Sequence, residues 1–157
     1  MIRLDSAVSA PDIDEIRVLF REYADSLGVN LGYQGFEEEL RDLPGSYAPP
    51  AGTLLLARRD DELLGCVGVR ALDPATAEMK RLYVRPAGRG TGLGRTLAEA
   101  AIRFATCSGY ERMRLDTLPQ MQRAQELYRE LGFVPIDAYR FSAVPGTVYL
   151  ELMLTTV

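Results

Sequence analysis

Histidine is absent from the 157-residue chain, so nucleophilic catalysis through a Ser-His-Asp or Cys-His arrangement is excluded, as are metal sites built on imidazole. Acid–base work falls to carboxylates, tyrosine, lysine, cysteine or bound water. Only two cysteines are present, Cys66 and Cys107. They lie far apart, and Cys66 sits in the apolar run LLGCVGV, where a small buried thiol is expected and a structural disulfide is not. No apolar run approaches the ~18 residues that a membrane span requires. The opening MIRLDSAVSAPDIDEI has no basic segment followed by an apolar one, so nothing marks the chain for export and a cytoplasmic location is expected. Positive charge is also in the minority, 18 Lys and Arg against 22 Asp and Glu for a net charge of -4. That balance argues against whole-surface attraction to nucleic acid or to an anionic membrane.

What is present is the composition of an ordinary globule, with 47% hydrophobic residues and neither repeats nor low-complexity tracts. One domain over 1–157 is expected. The order of elements carries more information. A short strand at 2–4 precedes a helix over 10–27, opened by Ser9 and Pro11, carrying Ile13, Ile16, Leu19, Phe20 and Tyr23 at helical spacing, and closed by Gly28. A glycine-punctuated stretch then leads to the acidic helix FEEELRDL, which stops at Pro44. GTLLLARR and LLGCVGVRAL, joined through Asp60 and Asp61, read as an antiparallel hairpin with apolar residues on more than one face. A third strand, AEMKRLYVRP, runs into AGRGTGLG and a helix over 93–107. Then come a strand, ERMRLDTL, a helix from about 119 to 131, and two last strands, FVPIDAYR and TVYLELML. The reading is α+β, with a mixed and mostly antiparallel twisted sheet, flanking helices and one β-α-β unit in the middle.

The segment RLYVRPAGRGTGLGRTL is a strand that passes through glycines into a helix, which turns backbone N–H groups and a helix N-terminus toward an anion. It lacks the Lys of a P-loop, and no register of Gly88, Gly90 or Gly92 completes the dinucleotide fingerprint. Tight helix–strand packing would also account for glycines here. Between Glu78 and Glu99, however, the chain carries Lys80, Arg81, Arg85, Arg89 and Arg95 and no acid, a local anion site in an acidic protein.

The pattern R-x-x-G-x-G at Arg89, Gly92 and Gly94 resembles the GNAT (N-acetyltransferase) superfamily. A second motif, AQELYRELGF over 124–133, is similar to that family's A-x-x-L-Y-x-x-x-G-F, and the element order matches over nearly the whole chain. The chain departs from the pattern at Met121, where relatives often carry an Asn that contacts the cofactor. The resemblance implies the GNAT acyltransferase fold and transfer of an acetyl group from acetyl-CoA to an amine, with no metal. It assigns the pyrophosphate to Arg89, Gly90, Thr91, Gly92, Leu93, Gly94 and Arg95. The pantetheine amides go to the main chain of Leu82, Tyr83 and Val84, whose side chains can still pack in the core.

The resemblance also implies Tyr128 as general acid, near the cofactor sulfur; from pattern alone, Tyr128 reads equally as the aromatic of an amphipathic helix with Leu127 and Leu131. Glu78 matches a position where several relatives place a base. Burial beside a cavity would raise its pKa toward neutral, while water alone serves in many such enzymes and a solvated strand-end Glu is common. The acceptor pocket is expected between residues 28–35 and 143–146, with Tyr33, Tyr47, Tyr139 and Phe141 as walls. Asp25, Glu37, Glu38, Glu39 and Asp42 tilt it toward a cationic amine, unless they are simply a solvated face. A small-molecule amine is the expected partner, with no nucleic acid and no membrane, the chain acting as monomer or homodimer. A protein N-terminus or lysine, or a non-catalytic acyl-CoA-binding module, are the alternatives.

Overall fold

The computed structural model describes residues 1–155, with the side chain of Tyr33 outside the described set. The elements are β1 (Ile2–Ser6), α1 (Ala10–Leu27), α2 (Phe36–Asp42), β2 (Thr53–Arg59), β3 (Glu62–Asp73), β4 (Thr76–Val84), α3 (Leu93–Cys107), β5 (Arg112–Thr117), α4 (Gln122–Glu130), β6 (Val134–Ile136) and β7 (Val148–Met153). The seven strands form one sheet in the order β1-β2-β3-β4-β5-β7-β6. Every neighbouring pair is antiparallel except β4 and β5, the two strands joined by the α3 crossover.

Local signals set the helix ends. The Ser9 hydroxyl accepts the Asp12 N–H, Pro11 sits in the first turn of α1, and Gly28 closes the helix in the left-handed region. Buried Ile13, Ile16, Leu19 and Phe20 lay α1 on one face of the sheet with Leu54, Leu56, Cys66 and Tyr47. α3 covers the other face, where Leu93, Leu97, Ala98, Ala101 and Ala105 meet Ala57, Val67, Val69, Met113 and Leu115. With both faces covered, β2 and β3 are apolar on both sides and show no inside–outside alternation. Cys66 is buried and free, and Cys107 is exposed and free.

Two elements are shorter than the sequence predicts. The expected helix over 119–131 spans Gln122–Glu130. The strand expected through Arg140 stops at Ile136, because the chain turns inward there to deliver Tyr139 and Arg140 to buried Glu78.

β3 and β4 approach closely at Gly65, which pairs with Val84. A Cβ at Gly65 would lie 2.5 Å from the Tyr83 carbonyl oxygen and 3.4 Å from the Val84 Cα. Both are backbone atoms, so the strands have to separate to admit one. Gly65→Ala is expected to destabilise the fold by about 1–3 kcal/mol in urea unfolding; an unchanged midpoint would contradict the close approach.

Candidate functional site

The site begins where two parallel strands part. β4 pairs with β5 only at Thr76, Ala77 and Glu78, so the edge of β4 that faces β5 is unpaired from Met79 onward. A bulge coincides with the parting: Cys66 of β3 opposes Tyr83 and Gly68 opposes Lys80, leaving Arg81 and Leu82 against Val67 alone. Arg81 sits in the left-handed region at φ 61°, a conformation that a long side chain adopts only when its surroundings hold it. Glu39 of α2 takes the guanidinium in two bonds of 2.9 and 3.2 Å, Gln34 accepts a third at 2.9 Å, and the Phe36 ring lies 5.2 Å from it. The pair is almost completely buried, so loss of either partner would leave an uncompensated charge.

At the far end of β4, Arg85 makes a bidentate pair with Glu22 of α1 at 2.7 and 2.9 Å. The chain then enters the glycine turn. Gly90 and Gly92 have φ near +79°, and a Cβ built on either meets nothing within 4 Å. Their backbone is therefore both left-handed and open to an approaching group. Gly92 caps α3 with no side-chain acceptor, so the first-turn N–H groups of Leu93, Gly94 and Arg95 have no partner inside the helix. Gly94 has no positive φ; it lies within the helix with Leu127 3.9 Å from a built Cβ. A groove of about 630 Å³ joins this turn to the open edge of β4, lined among others by Leu82, Tyr83, Val84, Arg89, Gly94 and Met121.

The basic stretch is less available than its sequence suggests. Arg81 and Arg85 are paired as above, Arg95 bonds Glu130 of α4 at 2.5 Å, and Lys80 is buried. Arg89 alone remains exposed beside the turn without a carboxylate partner among the described residues, its Nε donating to the Val84 carbonyl at 3.2 Å.

A narrow cavity of about 30 Å³ lies deeper in the gap, roomy enough for a water. It is lined by Tyr23 and Leu31 on one side, Lys80, Arg81 and Leu82 on β4, Asp116 and Thr117 on β5, Tyr128 on α4 and Thr147. Of the stretches expected to border the acceptor pocket, 28–35 reaches the cavity through Leu31 and Gln34, whereas none of 143–146 lines it and Thr147 does instead. Tyr47 is core, stacked edge-on to Phe20 and bonded to Glu39. Phe141 is 74% exposed. Tyr33 falls outside the described side chains. Tyr139 stands near by, donating to Glu78 at 2.8 Å. Of the acidic residues thought to favour a cationic amine, Glu37 pairs with Arg21 and Glu39 with Arg81, and none of the five lines the cavity. Tyr23, at the junction of groove and cavity, and Lys80 were not singled out by sequence as site walls; the helical spacing of Tyr23 and its aromatic character signal a core residue just as well.

Tyr128 is buried, its ring edge-on to Phe133 at 5.7 Å. Burial, with lesser effects of Tyr23 and Asp116, raises its phenol well above the usual value, so it stays protonated. Glu78 corrects an expectation. Burial alone would raise its pKa, but the charge of Lys80 and the bonds and charges of Arg140 and Arg70 hold it below the usual carboxylate range. It is fully buried, with Arg70 at 2.9 Å on one oxygen and Arg140 at 2.5 Å and Tyr139 at 2.8 Å on the other. Lys80 shifts the other way from an ordinary lysine: burial, then the charges of Arg81 and Arg70, outweigh Glu78 and Asp116 and lower it to about 7.

The sequence and the fold are matched elsewhere. The acetyltransferase (GNAT) family model covers residues 15–133. An uncharacterized N-acetyltransferase of Schizosaccharomyces pombe is 39% identical over 153 residues, 96% of this chain and 94% of that protein. Among solved structures, an acetyltransferase from Streptococcus agalactiae superposes with a TM-score of 0.80 at 21% identity, covering 98% of both chains. The paiA N-acetyltransferase of Thermoplasma acidophilum, in complex with coenzyme A, superposes at 0.76 and 20% identity over 98% of this chain and 99% of its own. The chain belongs to the GNAT family of acetyltransferases and is an acetyl-CoA-dependent enzyme with the fold of that family.

The lowered pKa of Lys80 has a consequence for stability. Between about 7 and the ordinary 10.5 the unfolded chain holds a proton that the folded chain has released. Stability therefore rises with pH through this window, up to about pH 8.5, where the unfolded Cys66 thiol begins to ionise and opposes it. The Lys80 contribution from pH 7 to 8.5 is on the order of 1–2 kcal/mol. Urea unfolding of the native protein and of Lys80→Met at both pH values should show the gain in the first and its loss in the second; equal pH dependence would contradict the burial of a titrating amine.

Proposed function

We propose that this acetyltransferase acts on the primary amine of a small molecule by direct transfer, with the gap between β4 and β5 holding both reactants. The observation that carries this reading is the unpaired edge of β4 beyond Glu78, continuous with an open, uncapped glycine turn. Coenzyme A fits that arrangement: its amides suit a strand edge and its pyrophosphate suits a turn rich in free N–H groups. The residues that would hold it are Leu82, Tyr83 and Val84 through their main chain, and Arg89, Gly90, Thr91, Gly92, Leu93, Gly94 and Arg95 at the turn. Bound acetyl-CoA supplies an acetyl group already activated as a thioester. The paiA protein whose fold this chain shares was solved with coenzyme A, which supports the same ligand here.

Tyr128 lines the cavity at the parting of the strands and is proposed as the general acid. Its raised pKa keeps a proton on the phenol oxygen throughout the neutral range. Of the two candidates for accepting the amine's proton, Glu78 and water, the geometry favours water. Both Glu78 oxygens are engaged by cations or by Tyr139, and a carboxylate held low is a weak base. Glu78 then serves to tie Arg140 and Tyr139 to β4, a role its buried contacts support. A small acceptor is favoured over a protein chain because the cavity is narrow and bordered by Leu31, Gln34 and Thr147.

Two variants test the assignment. Tyr128→Phe keeps the ring against Phe133 and removes a hydroxyl for which no hydrogen bond is found among the described residues. Its kcat is expected to fall roughly 10²-fold, with coenzyme A affinity and melting temperature nearly unchanged. A variant with full kcat would remove Tyr128 from the chemistry. Gly92→Val forces a branched side chain into a left-handed position and into the space left open there. Calorimetry should show coenzyme A affinity at least about tenfold weaker, and an unchanged affinity in the folded variant would overturn the phosphate site.

A further inference from the structure

The charges around the cavity do not cancel. Glu39 is bonded by Arg81, Glu78 by Arg70 and Arg140, and Asp116 approaches Arg140 at 3.6 Å. Each of the three carboxylates therefore already has an arginine. Lys80 is the cation left over. The residue is only 5% exposed, it lines the cavity, and its bond partner is the neutral amide oxygen of Gln34 at 3.3 Å. No carboxylate lies within ion-pair distance of its Nζ among the described residues. A buried ammonium without a counter-charge is costly, and the protein keeps it in the same small space as Tyr128 and the open edge of β4.

We propose that the acceptor amine also carries a carboxylate, as an α-amino acid does, and that Lys80 is the specificity-determining residue that binds it. This rests on the reading of the β4–β5 gap as the acetyl-transfer site. A carboxylate placed on Lys80 supplies the missing charge and forms a charge-assisted bond in a site from which water is largely excluded. Arg70, Arg81 and Arg140 meanwhile neutralise Glu78, Glu39 and Asp116, so that these carboxylates do not repel an anionic substrate. A neutral amine would leave Lys80 as unpaired as it is now. Binding an anion favours the charged form of Lys80, against the burial that lowers its pKa to about 7.

The test compares matched acceptors that share one amine: a set of α-amino acids, their carboxamides and their methyl esters, with acetyl-CoA, followed by release of free thiol. The native enzyme is expected to prefer the acid over its amide or ester by at least about tenfold in kcat/KM. In Lys80→Met the preference should collapse through a higher KM for the acids, with coenzyme A affinity by calorimetry unchanged. Thiol release with amides and esters as readily as with acids overturns the carboxylate and leaves the acetyl-transfer site standing. So does a Lys80→Met enzyme that keeps the preference. No thiol release with any amine, despite tight coenzyme A binding, overturns both readings together.

Discussion

The separation of β4 from β5 after three residue pairs is the constraint on which the site depends. Had the two parallel strands stayed zipped, their ladder would have filled the space that the groove and cavity occupy, and the main chain of Leu82 to Val84 would be fully bonded. The bulge at Arg81 and Leu82 adds a residue to β4 opposite Val67 of β3 and turns the strand away. A bulge that puts arginine at positive φ needs holding, and the buried pair with Glu39 does that from α2, with Gln34 and the Phe36 ring beside it. The acidic helix that resembles a solvated face in sequence is thus the anchor of the strand it lies against.

The same pairing logic runs along the rest of β4. Glu22 of α1 clamps Arg85, Glu130 of α4 takes Arg95 beyond the turn, and Glu78 gathers Arg70, Arg140 and the Tyr139 hydroxyl. Each of these bonds joins β4 or its continuation to a different element, so the stretch of basic residues works mainly as a set of ties that fix the site. What is left for ligands is Arg89 at the surface end and Lys80 at the buried end. These two cations lie at opposite ends of the open edge, one beside the phosphate turn and the other inside the cavity. That arrangement is the one the proposed anionic acceptor would use, with its site kept apart from that of the coenzyme. Among the described residues no helix is long and apolar enough to cross a membrane.

The parts of this that are legible in sequence are those with local causes. Gly92, Leu93 and the apolar spacing behind them define α3 to the residue, and Ser9 with Gly28 does the same for α1. Within the glycine turn positive φ is found at Gly90 and Gly92 and not at Gly94, whose place in the first helical turn needs none. What escapes sequence reading depends on partners far along the chain. The early end of β6 follows from Glu78, some sixty residues upstream, drawing in Tyr139 and Arg140. The core position of Tyr47 follows from Gly68, which leaves room for its ring against β3. Neither the Arg81 bulge nor the isolation of Lys80 has a local signature, because both are set by which carboxylates fold up beside which cations.

The central claim is that the edge of β4 opened by the Arg81 bulge, together with the turn that follows it, binds coenzyme A through the main chain. Amide hydrogen exchange with and without coenzyme A tests this most directly. The account predicts that the amides of Leu82 and Val84, which alternate away from β3, and of Gly90 through Arg95 become protected together on binding, while β1, β2 and the exposed face of α1 are unchanged. Protection confined to other segments, or amides of Leu82 and Val84 that are already slow to exchange in the free protein, would contradict it.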